Sequence, residues 1–171
     1  SDLFVYEACE FKDTFLSTYP DLAVVLNIDD DHMDYFGTVE NAMKSYTCFA
    51  SKASRVLYNA CDANTCGAMD DVSGPEKVTF GWDSGCDYYP EDIVIHDGLC
   101  RSFDLMHRGE CLCRITLHVP GTHNILNAVA ASAAALLLGV SPEDCSRHLA
   151  QFGGAGRRFE VLGKPRGITI V

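Results

Sequence analysis

Three short apolar runs stand early in the chain, at residues 3–7, 22–28 and 54–60, the last reading SRVLYNA. A strand with one face in water alternates apolar and polar residues, whereas a strand covered on both faces is continuously apolar, as in parallel sheets. Parallel strands need crossovers, and the spacers are long enough to supply them. CEFKDTFLSTYPD (9–21) has room for a helical turn or two and closes on a proline, and Thr38 can cap a helix over 39–50, where Val39, Ala42, Met43, Tyr46 and Phe49 recur at helical spacing.

From 77 to 119 the pattern changes. KVTFGW, DIVIH, LCRSFDLMH and CLCRITLHV alternate more, and Asp97-Gly98 and Arg108-Gly109 fall between them at hairpin positions. This predicts an antiparallel meander set on the parallel core. A helix over 123–138 follows PGTH, and a second starts at Ser141-Pro142-Glu143-Asp144, which joins an N-cap, a first-turn proline and early acids, and ends at Gly153-Gly154. The expected fold is therefore α/β, a mainly parallel sheet with flanking helices and an antiparallel insertion.

The formal charge of −11 argues against nucleic acid as a partner, because no Lys/Arg cluster offers to replace its counterions. Nine scattered cysteines without a C-x2-C pair suggest neither a zinc knuckle nor a disulfide framework, and fit a reduced cytosol in which most are packing residues. Cys111 and Cys113, two apart in a strand, are expected on one buried face. The longest apolar run, AVAASAAALLLG, is too short to span a bilayer, so no membrane partner is expected. Both ends fall inside strand-like runs, DLFVYEA and GITIV, as if cut through structure.

Three stretches carry candidate chemistry. LNIDDDHMDYF (26–36) places four aspartates and a histidine just past a parallel strand, the end at which open α/β sheets bind ligands. Glu7 ends a neighbouring expected strand and is placed to meet His32 around a hard cation such as Mg2+; the competing reading is a solvated acidic loop. HNILN puts Asn124 and Asn127 on one helix face, where amides can read a base edge, or where Asn124 simply caps the helix. GGAGRRFE (153–160) offers two arginines to phosphate, or to solvent. No G-x4-G-K-[ST] loop occurs in the chain.

In order, VYEACEFKDTFLSTYPDLAVVLNIDDDHMDYF, VPGTHNILNAVAASAAALLLGV and FGGAGRRFEVLG resemble the central domain of the Mur ligases, the ATP-dependent amino-acid-adding enzymes of bacterial peptidoglycan synthesis. The likeness is strongest to the branch that joins L-alanine to UDP-N-acetylmuramate in the cytoplasm. It implies that Glu7 (E-A-x-E segment) and His32 (D-H-x-D segment) ligate Mg2+, that Asn124 and Asn127 approach the adenine of ATP, and that Arg158 contacts its phosphates, the five converging on one cleft. It further implies a central domain over 1–164 without the phosphate loop, with 165–171 opening a C-terminal domain, and hence a chain inert by itself, whose uncovered sheet a second copy could cover. Two departures stand out: Lys44 and Lys52 are out of register with the lysine some relatives carry after the D-H segment, and Cys9 replaces an aspartate. Related alternatives are the murein-tripeptide recycling ligase and folylpolyglutamate synthase. From other classes come a metal hydrolase using Asp31, His32 and Asp34, and a non-catalytic binding module.

Overall fold

Strands β1 (Leu22–Val25), β2 (Arg55–Asn59) and β3 (Glu76–Phe80) run parallel in the computed structural model, which describes residues 3–96, 100–154, 163 and 166. Leu22 pairs with Arg55 and Arg55 with Glu76, so the three strands start level. Val56 and Leu57, neighbours on β2 and hence on opposite faces, are both fully buried, as the continuous apolar run requires. β1 is covered on one face only: Ala23 and Val25 are buried and Val24 is exposed.

The crossovers are a 3₁₀ segment (Phe11–Ser17), α1 (Met33–Phe36), α2 (Val39–Ala50) and α3 (Ala63–Asp70). Thr38 caps α2 as its sequence position predicts, its hydroxyl accepting from the Asn41 N–H at 3.3 Å. Phe15 of the 3₁₀ segment stacks on Phe49 of α2 at 4.8 Å between centroids, and both are buried with Ile28, Phe36, Val56 and Met69 in one cluster.

One expectation fails here. Residues 3–7 form no strand, and Leu3, Phe4 and Val5 are exposed. KVTFGW supplies a strand of the parallel core, since β3 pairs with β2. α3 returns the chain to the start of the sheet, so β3 enters alongside β2 in the same direction, with Ala60 N–H donating to the Phe80 carbonyl at 2.9 Å.

The chain packs as two compact units, residues 1–81 and 82–171. In the second, β4 (Tyr88–Ile95), β5 (Arg101–His107) and β6 (Glu110–Leu117) form the antiparallel meander. Arg108 and Gly109 make a two-residue hairpin turn with φ of 49° and 87°, the double left-handed geometry that follows strand twist and favours glycine. The Asp97-Gly98 turn lies outside the described residues. A bulge at Leu112 breaks the period-two pattern, leaving Cys111 exposed and Cys113 half-buried rather than both inside. Only Cys86 and Cys145 are buried, so the reading of the cysteines as packing residues holds for two of nine.

Helices α4 (His123–Leu137) and α5 (Pro142–Gln151) pack on the meander and on each other, with Ser141 capping α5 through the Asp144 N–H at 3.1 Å. Thr38→Ala is expected to lower the unfolding free energy by about 1 kcal/mol and Phe49→Ala by about 3–5 kcal/mol in urea titrations. Equal losses would contradict the central place given to Phe49.

Candidate functional site

Between buried Ile28 and buried Phe36 the chain exposes the acidic loop beyond the C-terminal end of β1. The loop organises itself locally: Asp29 Oδ1 accepts from the Asp30 N–H and Asp31 Oδ1 from the His32 N–H, each at 2.9 Å. His32 adopts the left-handed conformation (φ 54°, ψ 36°), and its carbonyl accepts from Tyr35 and Phe36 to open α1. That conformation is costly for a residue with a Cβ and persists where the surroundings hold it. Here they include the Phe11 ring, 4.9 Å from the imidazole between centroids.

A second bent segment brings the partner. Lys12 and Asp13 are also left-handed (φ 55° and 58°), and the Asp13 N–H bonds the Glu10 carbonyl at 2.9 Å, turning the chain directly after Glu10. Glu10 Oε1 then lies 3.3 Å from His32 Nε2, with Asp31 Oδ1 4.0 Å from His32 Nδ1. Tyr35 donates its hydroxyl to Asp13 Oδ2 at 2.7 Å, which ties the two segments together. Glu7, assigned to this place from the sequence, is exposed on the irregular segment and has no atom in the group. Two glutamates three residues apart point the same way only along a helix, and on this bent segment Glu10 is the one that meets His32.

Ligand atoms of Glu10, Asp31 and His32 all lie within 4.8 Å of one another. Two carboxylates and an imidazole suit a divalent cation, and Mg2+ or Mn2+ binds few protein groups and keeps several waters. The side chains of Glu10 and His32 are 29% and 35% exposed and that of Asp31 is 80% exposed, which leaves space for those waters. The donor set therefore fits. Asp34, the third residue of the hydrolase alternative, is outside the group.

The asparagine pair belongs to the second unit. Asn124 donates its amide to the Pro120 carbonyl at 2.6 Å, and Asn127 donates to Asn124 Oδ1 at 3.3 Å, so both side chains share the face expected from their spacing. They line a cavity of about 550 Å³ with Leu117, Val119, His123 and Phe152, large enough for a heterocycle. Gly121 (φ 92°) turns the chain into α4, and a Cβ there would strike the His123 ring. Arg158 lies outside the described residues.

The family model described as Mur ligase middle domain matches residues 1–135. The chain belongs to the Mur ligase middle domain family. It is 43% identical over its whole length to a protein of Caldanaerobacter subterraneus subsp. tengcongensis, and 38% identical to one of Agathobacter rectalis, both named UDP-N-acetylmuramate--L-alanine ligase. The chain spans about 38% of the length of these curated relatives. A crystal structure of the Thermotoga maritima UDP-N-acetylmuramate-alanine ligase superposes with a TM-score of 0.77 over 90% of the chain and 34% of that protein. At 23% identity that likeness is one of fold, shared across the Mur ligases.

One titration reports on this corner of the Mur ligase domain. Burial, and next the negative charges of Glu10, Asp31 and Cys9, push the Tyr46 hydroxyl up to about 12. The native chain keeps this proton where the unfolded chain, titrating near 10, has lost it. Its contribution to stability is therefore full below pH 10 and falls as pH rises toward 12. Denaturation across that window should show the decline, made shallower by Tyr46→Phe; a decline unchanged by Tyr46→Phe would contradict the assignment.

Proposed function

We propose that this chain is the nucleotide- and metal-handling part of an ATP-dependent ligase of the bacterial cytoplasm that joins L-alanine to UDP-N-acetylmuramate in cell-wall synthesis. The observation that carries the reading is the Glu10–Asp31–His32 group beyond the C-terminal end of a parallel strand, in a chain 43% identical throughout to a protein of that name. In such a ligase ATP phosphorylates the sugar's carboxylate, and the alanine amine displaces phosphate from the acyl phosphate through a tetrahedral intermediate. The protein's share is positioning and charge neutralisation.

Glu10, Asp31 and His32 would hold the Mg2+. When bound, that ion offsets negative charge on the phosphate oxygens. The Asn124–Asn127 hydrogen bond leaves the Asn127 carbonyl and one N–H on each amide for an adenine edge in the adjoining cavity. Arg158 is assigned to the phosphates, where a guanidinium can bond two oxygens at once. Glu7 is exposed and lies outside this group.

Two experiments test this. The gene product carrying this chain should release ADP and phosphate only when UDP-N-acetylmuramate, L-alanine and ATP are all present, and His32→Ala should slow turnover by at least about a hundredfold. Replacement of L-alanine by another amino acid with no loss of rate would overturn the substrate assignment. In Mn2+ titrations Glu10→Gln should weaken binding by about tenfold or more and Glu7→Gln should leave it nearly unchanged. The reverse ranking would return the site to Glu7.

A further inference from the structure

The acidic loop is held from behind by residues outside the Glu10–Asp31–His32 group. Ile28, the residue before the loop, has both backbone polar groups captured by the first turn of α3. Its N–H donates to Asp62 Oδ2 at 3.3 Å, and its carbonyl accepts from Asn64 Nδ2 at 2.9 Å. Asp62 Oδ2 also accepts from the Thr65 N–H at 2.8 Å, which makes it the N-cap of α3. One carboxylate oxygen therefore serves two backbone donors from elements more than thirty residues apart.

Strand pairing does not do this work, because β1 ends at Val25 and Ile28 has no ladder partner among the described residues. The Ile28 side chain is buried, which fixes its depth, but burial is non-directional and leaves the peptide free to rotate. Two oriented hydrogen bonds remove that freedom immediately before Asp29, Asp31 and His32.

Resting on the reading of Glu10, Asp31 and His32 as the cation ligands, we propose that Asp62 and Asn64 are positioning residues for that site. They set the orientation of the loop that carries Asp31 and His32. A plain helix cap needs the Asp62–Thr65 bond alone; the second acceptor role of Asp62 and the whole role of Asn64 are directed at the loop.

Asp62→Ser separates the two roles, since a serine can still cap Thr65 but is too short to reach Ile28. Asn64→Ala removes the other tether and leaves the cap untouched, so it also serves if Asp62→Ser folds poorly. In the metal-free chain, hydrogen exchange at the His32 amide should quicken about fivefold in each variant, with the Thr65 amide unchanged in Asn64→Ala. Mn2+ affinity, read by the EPR signal of the free ion, should fall about tenfold in each. Unchanged exchange with unchanged affinity overturns the proposal, as does faster exchange with unchanged affinity. Failure of the wild-type chain to bind Mn2+ overturns the underlying reading as well, and the wild-type control identifies that case.

Discussion

Burial of Ile28 and Phe36 on either side of the acidic loop is the constraint on which the site depends. Between them stand four aspartates and His32, which cannot enter a core without partners, so the loop is forced outward while both its ends are pinned inward. The left-handed turn at His32 follows from this geometry, since the chain must reverse within a few residues to return Phe36 to the cluster that holds Phe15 and Phe49. The same cluster positions the 3₁₀ segment, and through it Glu10. The Glu10–Asp31–His32 group, built from two segments, thus inherits its geometry from apolar packing beneath it.

Capping and periodicity made much of the fold legible. Thr38 and Ser141 announce α2 and α5 because a hydroxyl before a helical apolar pattern has one favourable use, and SRVLYNA reads as a buried strand because nothing in it can face water along a whole face. The apolar run at residues 3–7 misled for a physical reason: a strand is a relation between segments, and β-propensity alone does not build one, so Phe4 and Val5 stay exposed. KVTFGW gave no sign of its parallel partner, because alternation describes burial on one face and carries no information on strand direction, which the α3 crossover decides.

The site was half legible. His32 stood out by its place after β1, and the asparagine pair by its spacing on an otherwise apolar helix. That Glu10 rather than Glu7 lies beside His32 was not readable, because it depends on Lys12 and Asp13 adopting left-handed backbone, and neither is the glycine that most often signals such a turn. Asp62 was equally silent. An acid before a helix is ordinarily read as a cap, and its second donor arrives from a residue distant in sequence. Sequence finds groups that act locally more readily than those whose partners the fold must deliver.

On the proposed reading Glu10, Asp31 and His32 together hold a divalent cation. Anomalous diffraction from crystals grown with Mn2+ measures this directly. The account predicts a single strong peak about 2.0–2.3 Å from a Glu10 oxygen, an Asp31 oxygen and a His32 nitrogen, with water completing the shell. A peak ligated by Glu7 in place of Glu10, or no peak at this loop, would contradict it.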